Sequence, residues 1–186
     1  MMARRVRRLA VVVLVLLVIG AIALVFTTRP KLEDRRDDVD RAWTPLRAPL
    51  GERYARLAEA NAQLAAAGGG ERDVARALGL RLGRWGELRR ARDGDADADA
   101  EAQTADQLEG LATRLQAVVS SSDRLRASDA LNQAIAAFQG TVPPPPAVTA
   151  YNRTVRDYED ERNGLLRSPV ASLFGYDSRS QLVFAG

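Results

Sequence analysis

The chain has 186 residues, enough for one domain, and contains neither Cys nor His. That excludes disulfides, thiol nucleophiles, thiolate zinc sites and imidazole acid–base chemistry together. The net charge of +3 is unevenly placed: residues 1–30 hold five of the 27 basic residues and none of the 24 acidic ones, leaving 22 basic against 24 acidic beyond them. A nucleic-acid binder needs a basic face on its folded part, so no nucleic-acid partner is expected.

Residues 1–8 are a basic segment carrying Arg4, Arg5, Arg7 and Arg8. From Leu9 to Phe26 there is no charge and no hydrogen-bonding side chain, and Thr27 and Thr28 extend the run. Leu9 to Phe26 as a helix is about 27 Å long, close to the thickness of a bilayer's hydrocarbon core. Only a helix satisfies a single span's backbone in lipid, so residues 9–28 are expected to form one transmembrane helix. Ala21-Ile22-Ala23 has the small-x-small form of a signal-peptide cleavage site, which leaves a secreted chain as the alternative. Leu24, Val25 and Phe26 carry the run past that cut, which favours the uncleaved anchor. The basic N-terminus favours a cytoplasmic N-terminal side with the remainder outside, a bias that Arg29, Lys31, Arg35 and Arg36 after the run nearly cancel. Arg29, Lys31, Arg35 and Arg36 follow the anchor and offer contacts to anionic headgroups.

An apolar series runs from Leu32 through Val39, Trp43, Leu46, Leu50, Arg53/Tyr54 and Leu57 to Leu64. Its steps of four and three predict one helical stripe. Pro45 and Pro49 predict a kink or local break in it, and Gly68 to Gly70 a turn after it. Residues 71–92 predict a second helix on Val74, Leu78, Leu82, Trp85 and Leu88. Gly79, Gly83 and Gly86 weaken that helix unless another helix approaches closely. Residues 93–100 alternate Asp with small residues. Read as an EF-hand loop from Asp93, the required Gly is Ala98 and the twelfth position is Thr104, so a solvated acidic loop is expected, with no metal.

Residues 101–139 predict a third, long helix, with Leu108, Leu111, Leu115, Val118, Ser122 and Leu125 advancing by threes and fours. Leu131, Ile135 and Phe138 follow after one slip in phase. Pro143 to Pro146 predict a stiff extended spacer. Residues 147–167 form the fourth predicted helix, with Val148, Tyr151, Val155, Tyr158, Arg162 and Leu165 at 3-4-3-4-3 spacing. Tyr151 and Tyr158 are expected to face the interior with Trp43 and Tyr54 as aromatic partners, each hydroxyl finding an acceptor. Asp157, Glu159, Asp160 and Glu161 crowd this helix as a solvated face. A hydrolase built on Asp157, Asp160 and Glu161 is the rival class, but it needs a pocket that raises an acid's pKa. Residues 168–186 are a tail whose Leu173-Phe174-Gly175-Tyr176 supplies apolar anchors.

Tyr151-Asn152-x-x-Val155-x-x-Tyr158, then Pro169-x-Ala171-x-x-Phe174-Gly175-Tyr176, resembles the LemA family of bacterial membrane proteins. Val39-Asp40-x-Ala42-Trp43, followed by Arg53-Tyr54, is a second point of similarity, and the apolar N-terminal helix completes the order. Where the family has an apolar Pro-Asn segment after its Arg-Tyr pair, Ala58 and Glu59 stand here. Glu159 replaces an Asn, and Pro143 to Pro146 replace the start of the family's last helix, which marks a divergent member. The resemblance implies an all-α fold: an N-terminal transmembrane helix followed by an antiparallel four-helix bundle over residues 29–167. It implies a place in the cell envelope and no particular molecular activity. Absence of a phosphate-cradling Gly motif and of a nucleophile elbow adds to a non-enzymatic reading: a membrane-tethered scaffold or interaction module, without cofactor, whose partners are the bilayer and an envelope protein.

Overall fold

The computed structural model describes residue 19 and residues 25–68, 72–90, 98–164 and 168–184. The described chain is all-helical. Helix α1 covers residues 25–43. A 3-10 turn, Thr44–Leu46, leads into α2 (Arg47–Ala66). Then follow α3 (Arg72–Arg90), α4 (Ala98–Ser121), the single turn α5 (Asp123–Arg126), α6 (Asp129–Gly140), α7 (Pro145–Arg162) and α8 (Ser168–Leu173). Among the described residues no helix is long and apolar enough to cross a membrane. The predicted span over residues 9–28 lies outside the described residues, apart from residue 19 and residues 25–28.

The predicted stripe along α1 and α2 is the spine of the fold. Leu32, Val39, Trp43, Leu46, Leu50, Tyr54, Leu57, Ala60 and Leu64 are all buried. Both prolines are accommodated in first turns, where a missing N–H costs no helical hydrogen bond. Pro45 is the second residue of the 3-10 turn and Pro49 the third residue of α2. The break they cause is one turn long, and the stripe passes through it without losing phase. Gly68, with φ +65°, closes α2 in the left-handed conformation that only Gly adopts without strain.

Helix α2 packs against α3 and α6, and α3 packs along α4. Small residues let α4 approach closely: Ala98, Ala102, Ala105 and Ala112 are buried on the face that also carries Leu108, Leu115 and Val119. Close approach does not explain the glycines of α3. A Cβ added at Gly79 or Gly83 meets nothing within 4 Å, so both lie on an open face.

Three predicted boundaries move. The long third helix is interrupted: Ser122 and Ser128 are both extended, with α5 between them. Ser128 is a helix cap, its hydroxyl accepting from the Leu131 N–H at the start of α6. Serine side chains compete with the backbone for hydrogen bonds, and a cluster of them ends α4 where the stripe slips phase. The proline run is only half a spacer. Pro144 caps α7 while Pro145 and Pro146 are its first residues, positions that suit a fixed φ and need no donor. Ala98, Asp99 and Ala100 open α4 rather than closing a loop, and residues 91–97 lie outside the described residues.

Candidate functional site

The C-terminal segment after α8 runs alongside α7, and the side chains of α7 hold it by its backbone. Tyr151 donates its hydroxyl to the Ser180 carbonyl at 3.1 Å, and Tyr158 donates to the Asp177 carbonyl at 2.8 Å. Asn152 does both jobs of a paired strand. Its Nδ2 donates to the Leu182 carbonyl at 3.0 Å, and its Oδ1 accepts from the Leu182 N–H at 2.8 Å. Arg162 Nε donates to the Tyr176 carbonyl at 2.8 Å, while Glu159 Oε1 accepts from the Arg179 N–H at 2.6 Å. An extended segment has no helical ladder for its own N–H and C=O groups, and these side chains supply the partners. Spacing places them correctly: residues 151, 155, 158 and 162 share one face of α7, with 152 and 159 beside it.

The tyrosine rings beneath are fully packed. Tyr151, Val155 and Tyr158 are each no more than 1% exposed. Trp43 of α1 stands against Tyr151 with ring centroids 5.1 Å apart. Tyr54 is elsewhere: it meets Trp85 of α3 edge-on at 4.9 Å and donates to the Ala105 carbonyl. Burial pushes the Tyr158 hydroxyl up from 10.0 to about 12, and it pushes Tyr151 higher still, with nearby Arg179 opposing the shift in both.

Arg179 enters from the segment as a buried cation. Its guanidinium pairs with Asp40 of α1 at 3.0 Å and with Asp99 at the start of α4. Asp99 also receives Arg36 at 3.3 Å. Two residues after Asp99 on α4, Glu101 is buried and accepts from Trp43 Nε1 and from Arg47 Nε at 2.7 Å. Arg36, Asp99, Gln103, Arg162 and residues 177–180 line an open cleft of about 550 Å³. Its walls are polar and charged, with Arg36 and Arg179 paired to Asp99 and Arg162 to Glu159, so it fits a polar or charged partner better than an apolar small molecule.

The turn before this segment explains the second half of the motif. Gly175 has φ +70°, and Tyr176 N–H bonds back to the Ala171 carbonyl at 2.9 Å. That is the Schellman closure of α8, with Gly at the left-handed position and an apolar residue just beyond it. Tyr176 packs with Ala171 and with Leu32 of α1, and its hydroxyl donates to Glu33 at 3.2 Å. Phe174, the motif's other aromatic, stays exposed.

Of the predicted site residues, Val39, Asp40, Trp43, Tyr151, Asn152, Val155 and Tyr158 come together around the segment. Tyr54 stands apart from them, and Phe174, Gly175 and Tyr176 form the turn at the α1 end. The four juxtamembrane cations divide. Arg29 pairs with Glu33, Arg35 with Asp38 and Arg36 with Asp99, while Lys31 is exposed. Arg29 holds the Glu33 carboxyl below its ordinary range. Asp157 and Asp160 are exposed on α7. Among the described residues no cluster of three or more acidic side chains is arranged to hold a metal ion.

Sequence reasoning missed Arg179, Glu101 and the pair Arg53–Glu109. The last pair is bidentate, at 2.7 and 2.8 Å, and both side chains are buried. Arg53 also donates to the Phe138 and Thr141 carbonyls at the end of α6, and its guanidinium lies 4.0 Å from the Phe138 ring centroid. The available signal was a charge adjoining a stripe position on each helix: Arg53 beside Tyr54, Glu109 beside Leu108. Comparison with protein-family models, curated proteins and solved structures gives no match for this chain.

Proposed function

We propose that this chain is a single-pass, membrane-anchored LemA-like protein of the bacterial envelope, acting as a non-enzymatic scaffold or interaction module. Residues 9–28 span the bilayer, and α1, described from residue 25, carries the chain out of it. The helices beyond form an antiparallel four-helix bundle that stands outside the cytoplasm, with α1–α2 as its long spine. The observation that carries this reading is the use of the motif residues. Tyr151, Asn152 and Tyr158 each spend their polar groups on the backbone of residues 177–182, and Arg162, one turn beyond the motif, adds a bond to the Tyr176 carbonyl. The same motif that carries the family resemblance thus builds a rigid polar surface rather than a reactive centre, and the cleft beside it is the docking face for an envelope protein.

The test uses the full-length protein in native membranes with a photo-crosslinking residue at Gln103, on the rim of the cleft. The expected result is retention in the pellet after carbonate washing, together with a discrete adduct that is lost when Arg36 is reversed to Glu. A mature protein beginning at Leu24 in the soluble fraction would return the secreted reading. Turnover of a glycan or ester that is abolished by Asp157→Asn or Asp160→Asn would replace the scaffold with the carboxylate hydrolase.

A further inference from the structure

Helix α8 is seated on the part of α1 that emerges from the apolar run. Thr28 and Leu32, one turn apart on α1, are buried. Leu32 packs with Ala171 and Tyr176, and Tyr176 bonds to Glu33. Val170 and Ala171 are buried, so α8 has an inward side. Leu173 at its end is 75% exposed and Phe174 is 41% exposed. Arg29 lies 5.4 Å from the centroid of the Phe174 ring, which fixes that ring beside the start of α1. Phe26, three residues before Arg29 on the same helix, is 76% exposed. Three large apolar side chains are therefore bare at one end of the molecule, with Arg29 against Phe174 and exposed Lys31 two residues further along α1.

Electrostatics alone does not bring this end to a membrane. Residues 29–38 hold four cations, Arg29, Lys31, Arg35 and Arg36, and four anions, Glu33, Asp34, Asp37 and Asp38. Arg29 and Arg35 pair within that set. What distinguishes the surface is exposed Phe and Leu next to long cationic side chains, the combination that lies in a headgroup layer with apolar groups down and charges snorkelling up.

We propose that Leu173 and Phe174, with Phe26, insert into the bilayer interface and give the C-terminal segment a second, apolar contact with the membrane. The inference rests on the reading that residues 9–28 span the bilayer. Helix α1 is continuous from residue 25, and the rise from Thr28 to Leu32 is about 6 Å. Groups seated at Leu32 therefore stand within the headgroup zone, where interfacial side chains reach about 5–10 Å into the boundary. The turn at Gly175 then directs the chain away from lipid and along α7. In this arrangement the membrane itself orients the bundle, and the clamp of α7 on residues 176–182 transmits that orientation to the cleft.

The absence of cysteine in the native chain makes the test direct. Full-length protein carrying a single Cys in place of Leu173, Phe174, Ile19 or Leu80 is labelled with an environment-sensitive fluorophore. It is reconstituted in phosphatidylcholine vesicles, with and without phosphatidylglycerol, that contain spin-labelled quencher lipid. Labels at 173 and 174 are expected to be quenched roughly threefold or more above the label at Leu80, an exposed site on α3, as interfacial insertion requires. Labels at 173 and 174 that match Leu80, with Ile19 strongly quenched, would overturn this inference and leave the spanning helix intact. If Ile19 also matches Leu80, the spanning reading fails and takes the interfacial contact with it. Quenching at 173 and 174 that appears only with phosphatidylglycerol would overturn the apolar contact in favour of charge attraction.

Discussion

The interior shared by α2, α3, α4 and α6 and the layer formed by the C-terminal segment on α7 are both buried, but their interactions differ. The first is a side-chain interior: Leu50, Leu57, Leu64, Leu78, Leu108, Leu115 and Phe138 pack together, and one buried ion pair, Arg53–Glu109, crosses it. The second is a side-chain-to-backbone interface, in which α7 reads the carbonyls and N–H groups of residues 176–182. The first kind constrains residue types on both sides. The second constrains α7 closely and fixes Tyr176, Arg179 and Leu182 in the segment, while the exposed Asp177, Ser178, Ser180 and Gln181 contribute backbone groups that any residue except Pro supplies equally. A motif of fixed residues on one helix is what such an interface requires. Trp85 stands in the first region against Tyr54, and Trp43 borders the second against Tyr151, so single-Trp proteins report the two regions separately.

The largest effect is expected in the interior. Arg53→Ala leaves Glu109 buried without its bidentate partner and removes two donors from the end of α6. Breaking a buried pair in this way costs about 3–5 kcal/mol, because the desolvation of the remaining charge is no longer offset. Urea unfolding of the full-length protein in detergent, followed at Trp85, measures it. The double replacement Arg53→Met with Glu109→Leu should recover most of the loss. A single-variant cost below about 1 kcal/mol, the surface value, would mean that water reaches the pair and that the two regions are held alike.

Alkaline pH is expected to act next, and through α7. Tyr158 titrates at about 12 in the folded chain against an ordinary 10.0. A raised pKa means the neutral hydroxyl is favoured in the folded state. The stabilisation is fully present below pH 10 and is lost as the pH rises from about 10 to about 12. Two units correspond to about 2–3 kcal/mol. Tyr151 and Tyr54 shift in the same direction and add to the slope. Stability measured across that window should fall, and Tyr158→Phe should flatten the fall. An unchanged slope in the variant would place the alkaline sensitivity outside the clamp.

These two regions also differ in how far the sequence reveals them. The stripe from Val39 to Leu64 was legible because its period is local, and its residues are buried as the spacing predicts. Tyr151 and Tyr158 were legible as interior residues for the same reason. Their acceptors were not, because residues 177–182 contribute backbone carbonyls and no side-chain pattern marks them. Arg53 and Glu109 lie 56 residues apart, and no local period connects them. Ser122 and Ser128 carried a local signal that the helical spacing of the neighbouring leucines overrode. Pro145 and Pro146 are helix-starting residues when a cap precedes them, and a run of four hides which one begins the helix.

A smaller effect is expected from Asn152→Ala. The substitution removes both bonds to Leu182 while leaving the tyrosines packed. Part of the loss is recovered from water, because the side chain is half-buried. The net cost is about 1–2 kcal/mol for two neutral hydrogen bonds. Hydrogen exchange at the Leu182 amide should accelerate, while exchange within α2 and α4 stays as it was. Acceleration throughout the protein would show that the segment and the interior unfold as one unit.

The smallest effects come from two glycines and test the comparison through the backbone alone. A Cβ added at Gly79 or at Gly175 meets nothing within 4 Å, so neither substitution by Ala creates a clash. Their backbones differ. Gly79 lies within α3, where Ala restricts the unfolded chain and favours the helix, so Gly79→Ala is expected to stabilise by about 0.5–1 kcal/mol. Gly175 sits at φ +70°, where an L side chain is disfavoured by about 1–2 kcal/mol. Gly175→Ala is therefore expected to destabilise, and to do so locally, by opening the turn that seats Tyr176 on Leu32. Thermal unfolding gives the signs, with Trp85 following α3. The exposure of Tyr176 to a water-soluble quencher follows the turn. Equal signs for the two variants would mean that the turn at Gly175 relaxes without cost. Residues 176–184 would then be held by α7 alone, and the seating of α8 on α1 would contribute nothing to them.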